Sequence, residues 1–170
     1  MIVVVALITM ALTYFTVSNT FFASSFFDQE RLGEYTVVGS KWTHFDVFGC
    51  TYAIVRASSI VALSRSKNAM SDLANRSYRS NYHWPTPERW QSTPFKPGDW
   101  NPESWNFNQD RINEGLPGYF AHCLGELAKA DHDAIISAIK TGGGWFSVSG
   151  EKVYFVLPSI HVAGAIRYGD

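Results

Sequence analysis

The chain reads as an α+β protein: an apolar N-terminal helix of transmembrane type leading into one compact domain. Three observations carry that reading. Residues 1–27 contain no Asp, Glu, Lys, Arg or His. The last third of the chain shows helical spacing that gives way to strand-like alternation. Between them lies a stretch, 82–107, that holds five of the seven prolines and four of the six tryptophans. At 170 residues, 46% hydrophobic and 17% charged, the chain has the size of one domain with an appendage, and it is too apolar to be a disordered tail. A net charge of −1 leaves no basic surplus to neutralise phosphates, so nucleic acid is not an expected partner.

The strongest apolar run is MIVVVALITMALTYFTV, Met1 to Val17, and the uncharged stretch ends before Asp28. About 20 apolar residues cross a hydrocarbon core roughly 30 Å thick, so 27 uncharged residues suffice for an anchor. Its Ser and Thr hydroxyls can bond back to the helix backbone, which keeps them cheap in lipid. A cleavable signal is the second reading, with small residues at Ala23-Ser24-Ser25, but no Lys or Arg precedes the apolar run. A buried core helix is the third. The expectation is an anchor over 1–27 and a single domain over 28–170, with that domain outside the cytoplasm.

The domain begins with a short strand, Tyr35 to Val38, bounded by Gly33 and Gly39. From Val47 to Leu63 nearly every position is apolar or small, with Arg56 the exception, and strict alternation fails. This predicts a buried helix over about 47–66, capped by Asp46. On such a helix Gly49, Ala53 and Ala57 fall at i, i+4 and i+8, a small-residue stripe that admits a second helix closely. Arg56 then needs a carboxylate or carbonyl partner. Proline denies backbone donors, so 82–107 is read as an extended loop. Its Trp84, Trp90, Trp100 and Trp105 are candidates for a glycan- or peptide-stacking platform, against the plainer role of stapling the loop to the core.

Pro117 opens a helix over Gly118 to Lys129 with Phe120, Cys123 or Leu124, and Leu127 on its apolar face. Asp131 caps a second, Asp133 to Thr141, with Ala134, Ile135, Ala138 and Ile139 inward and Gly142 to Gly144 ending it. Trp145–Val148 and Lys152–Leu157 flank a turn at Ser149-Gly150. Pro158 breaks the run, and a last strand closes a three-stranded antiparallel meander.

Candidate chemistry is sparse. Cys50 near the start of a helix would have a lowered pKa, and with His161 on a late strand it matches the layout of thiol hydrolases. Cys50 is then the nucleophile, His161 the base, and Asp170 or Asp133 the orienting group. The competing readings are a buried thiol and a Cys50–Cys123 disulfide, the latter suited to an oxidising compartment. His122 and His132 flank Asp131 and Asp133, but no metal-binding spacing occurs, so neither metal nor cofactor is expected. The glycines at 142–144 leave a helix rather than enter one, which excludes a phosphate loop. Asn75-Arg76-Ser77 fits the glycosylation pattern.

Charge is uneven. Residues 64–96 carry six basic and two acidic side chains, net +4, and residues 97–170 carry five and nine, net −4. Such polarity suits contacts with protein partners or with copies of the chain itself. Met1-Ile2-Val3-Val4-Val5-Ala6 is similar to the uncharged start of the mature helix in type IV pilin-like subunits. The glutamate that most bacterial pilins carry near that point is absent. What this resemblance implies is a helix packed in a filament core. The function expected from the sequence is a membrane-anchored structural or accessory subunit, with a pilin-like filament subunit, a Cys50/His161 hydrolase and a Trp-loop binder as alternatives.

Overall fold

The computed structural model describes residues 4–5, 10, 13–14, 21–42, 49–73, 84–94, 118–149 and 152–168. Among them six strands form one antiparallel sheet: β1 (Thr36–Lys41), β2 (Cys50–Arg56), β3 (Gln91–Ser92), β4 (Trp145–Ser149), β5 (Lys152–Leu157) and β6 (Val162–Tyr168). The spatial order is β1-β2-β6-β5-β4-β3. The predicted meander is therefore present as β4, β5 and β6, and β6 joins it to the β1–β2 hairpin. The helices are α1 (Gln29–Leu32), α2 (Ile60–Leu63), α3 (Lys67–Ser71), α4 (Gly118–Leu124) and α5 (Lys129–Thr141).

Both faces of the sheet are covered, so there are two cores. Side chains alternate between them along each strand. Tyr52 and Ile54 of β2, Val153, Phe155 and Leu157 of β5, and Val162 and Ile166 of β6 face α4 and α5. Ala53 and Val55, Tyr154 and Val156, and Ala163 and Ala165 face the other way. There they meet Ala23, Phe26, Phe27, Leu32, Ile60, Met70, Leu73, Trp84 and Trp90. The packed body thus takes in the last residues of the uncharged segment. Asp28 caps α1 by accepting from the Glu30 amide at 2.9 Å, and its own amide donates to the Leu73 carbonyl at 2.8 Å.

The helix expected over 47–66 is not formed. Residues 50–56 are strand β2, and among the described residues of this span only Ile60–Leu63 is helical. A strand covered on both faces buries consecutive residues, so its sequence shows a continuous apolar run without alternation. Thr51, Tyr52, Ile54 and Val55, β-branched or aromatic, favour the extended form. Gly49, Ala53 and Ala57 consequently make no helix stripe. Gly49 precedes β2, Ala53 faces the second core within it, and Ala57 follows it.

The two predicted helices of the last third are present, but α4 stops at Leu124, short of the expected Lys129, which instead opens α5. α5 starts earlier than expected, at Lys129, and Asp131 lies in its first turn rather than capping it. Ile135, Ala138 and Ile139 are buried as predicted. Gly142 ends α5 at φ 89°, and Gly143 follows at φ 82°, both in the left-handed region that favours glycine. Gly144 then lies against Thr93: its amide donates to the Thr93 hydroxyl at 2.8 Å, and its carbonyl accepts from the Thr93 amide at 2.9 Å. The three glycines end a helix and bring β3 onto β4.

Candidate functional site

Cys50 is bonded to Cys123, with Cα atoms 5.5 Å apart. The bond joins the start of β2 to α4 across the first core, and both residues are buried. A sulfur in a disulfide is no thiolate, so with this bond formed Cys50 offers no free nucleophile for the hydrolase reading, and it starts a strand rather than a helix. The sheet separates the proposed pair further. Cys50 pairs with Tyr168 and Arg56 with Val162, the residue after His161. At about 3.4 Å per residue this puts Cys50 and His161 about 20 Å apart, at opposite ends of β2. Asp170 lies outside the described residues, and Asp133 is engaged by Lys129 and His132 on α5.

Trp84 and Trp90 are buried staples and offer no open platform. The Trp84 indole N–H donates to the Phe26 carbonyl at 2.8 Å, and its ring packs on Phe27, Trp90 and Tyr154 with centroids 5.3, 6.1 and 5.2 Å away. The Trp90 indole donates to the Ser71 hydroxyl at 3.2 Å. Trp100 and Trp105 lie outside the described residues, as does Asn75. Among the described residues no group of three His, Cys, Asp or Glu side chains could hold a metal ion.

His161 lines a shallow groove of about 580 Å³ with Glu34, Tyr35, Thr36, Arg56, Ala57 and Ser58. His161 itself has φ 58°, a left-handed conformation that histidine tolerates better than most residues. Its carbonyl accepts from the Ala57 amide at 2.9 Å, which ties the end of β2 to the turn before β6. Arg56 has the carboxylate partner its sequence position called for: Asp131 on α5, at 2.8 Å. The groove carries both signs of charge but no nucleophile activated by a neighbouring base. It can hold polar or charged groups of a partner.

A second polar cluster lies near the disulfide. Lys41 on β1 pairs with Glu126 at 2.7 Å. Burial, and then the charge and hydrogen bond of Glu126, push the Tyr52 phenol up to about 12. An ionised Tyr52 would face a carboxylate in a half-dry site, so this cluster holds the phenol neutral and fixes the β1–β2 hairpin under α4.

The N-terminal segment presents the other unusual surface. Val4, Val5, Met10, Tyr14 and residues 21–24 are helical. Val4, Val5, Met10, Tyr14 and Phe21 are 59%, 58%, 70%, 75% and 77% exposed. Consecutive helical residues point about 100° apart, so Val4 and Val5 face different directions and the domain covers neither. Among the described residues no helix is long and apolar enough to cross a membrane. Where the segment enters the domain, Phe22 stacks on Trp42, with centroids 5.6 Å apart and planes 10° apart. Sequence reasoning singles out neither ring, because they stand twenty positions apart and meet only through the fold. Compared with family models, curated proteins and solved structures, the chain matches none of them.

Proposed function

We propose that the chain is a structural or accessory subunit of a membrane or cell-envelope assembly, anchored by residues 1–27 and acting through protein–protein contacts. The observation that carries this is the exposure of Val4, Val5, Met10, Tyr14 and Phe21 within an uncharged segment, joined to a domain that buries Ala23, Phe26 and Phe27. Apolar surface of that extent is unfavourable in water and calls for lipid or protein to cover it. The Cys50–Cys123 disulfide supports an oxidising compartment for the domain. A filament built from copies of the chain is the second reading. The opposite net charges of 64–96 and 97–170 favour it, because they suit head-to-tail contact.

The test is fractionation of the full-length chain through carbonate-washed membranes, detergent extraction and size exclusion, with mass spectrometry of what co-elutes. Membrane retention with stoichiometric companions is the expected result. Regular polymers in negative stain select the filament. Release as a soluble monomer overturns both readings.

A further inference from the structure

We propose that Trp42, stacked on Phe22, seats the domain in the headgroup layer of a phospholipid bilayer, so that the domain lies against the membrane surface. This rests on the anchored reading above. The length of the apolar segment supplies the first argument. Twenty uncharged residues precede Phe21. A helix that crosses a hydrocarbon core about 30 Å thick takes about 20 such residues at 1.5 Å each. Phe21 and Phe22 stand between an uncharged stretch long enough for that and the first charges, Asp28, Glu30 and Arg31.

Exposure and position supply the second. Trp42 is 58% exposed and Phe21 77%, although both adjoin a well-packed body. Trp42 follows β1 and comes back through the fold to lie on the helical residues 21–24, so two distant segments present aromatic rings at one level. Phe22 also packs edge-on against buried Phe26, with centroids 5.0 Å apart. The patch is thereby fixed to the second core and does not hang on a loose loop. Trp, with an apolar body and one N–H donor, is the side chain suited to the layer where hydrocarbon meets water.

The experiment uses the full chain reconstituted into vesicles of phosphatidylcholine and phosphatidylglycerol, with bromines near the headgroup end of the acyl chains. Tryptophan quenching is compared for the wild type and Trp42→Phe, and flotation of the same vesicles reports anchoring. Circular dichroism confirms the fold of the variant, whose changed ring is exposed. The expected result is flotation of both proteins with at least half of the shallow-bromine quenching lost in Trp42→Phe. Equal quenching in two proteins that both float overturns this proposal and leaves the anchor standing. Failure of the wild type to float overturns the anchor and this proposal together. Flotation with Trp42 unquenched and protected from oxidation only in oligomers assigns the patch to a protein contact and overturns the lipid assignment.

Discussion

Reducing the Cys50–Cys123 bond, or replacing both cysteines with alanine, is expected to destabilise the domain by about 4 kcal/mol. The bond closes a sequence separation of 73 residues. Crosslinking a loop of that length removes roughly 15 cal/mol/K of entropy from the denatured chain in the chain-entropy treatment, or about 4.4 kcal/mol at 25 °C. Both cysteines lie in the first core, among Tyr52, Phe120 and Leu124, so alanine also leaves unfilled volume and adds to the loss. For a chain of this size each kcal/mol moves Tm by about 2–4 °C, which gives a drop of roughly 9–18 °C. Thermal unfolding followed by circular dichroism, with and without reductant, measures it. Alkylation and mass spectrometry verify that both sulfurs are free, and without reductant neither should alkylate. A Tm that stays within about 2 °C while both thiols are demonstrably free would refute the reasoning. α4 would then be held to the sheet by packing alone.

Other expectations follow from single side chains. The Ser147 hydroxyl is buried without a hydrogen-bond partner among the described residues, so Ser147→Ala should stabilise by about 1 kcal/mol, read as a higher urea midpoint at unchanged slope; a lower midpoint would show that the hydroxyl is bonded. A Cβ on Gly164 would run into the Phe155 ring across β5 and β6, so Gly164→Ala should cost about 1–3 kcal/mol in the same assay, and a neutral outcome would show that the ring can move aside. Tyr52 ionises at about 12 in the folded chain against 10.0 ordinarily, so its contribution is whole below pH 10 and is lost as pH rises from 10 toward 12. Glu126→Gln removes the charge that helps hold this phenol neutral and leaves only a weaker amide acceptor, and should shift the ultraviolet titration of Tyr52 downward; an unchanged titration would show that burial acts alone.

Much of the last third was legible from sequence because each element there carries its own punctuation. Ile135, Ala138 and Ile139 share one helical face, glycines follow Thr141, and Pro158 separates β5 from β6. The order of β2 was not legible. Its run from Cys50 to Val55 is apolar on both faces because helices cover both sides of the sheet, and a doubly buried strand and a buried helix look alike in one dimension. That one misreading also made Cys50 a helix-start thiol and made Gly49, Ala53 and Ala57 a stripe. The pairing of Arg56 with an acid was foreseeable from the cost of a lone charge, but the identity of Asp131 was not, since it depends on where α5 docks. Trp84 and Trp90 illustrate the same gap. Their composition suggested a surface, whereas their burial depends on Phe26, Phe27 and Tyr154 arriving from two other parts of the chain.

The position of β6 bears on how the chain reaches this state. β6 lies between β2 and β5, so the hairpin of β1 and β2 meets the rest of the sheet only through it. Cys50 pairs with Tyr168 and Val55 with Ala163, contacts between segments far apart in sequence. Closing such contacts costs chain entropy before any strand hydrogen bond forms, which makes folding slow for the domain's size. While β6 is still being synthesised, Tyr52, Ile54 and Val55 are an open, apolar strand edge on a chain whose N-terminal residues are also apolar. The interval before β6 docks is therefore when the nascent chain most needs a chaperone or a membrane to shield it, and a substitution that weakens β6 should lower the yield of folded protein more than it lowers the stability of what has folded.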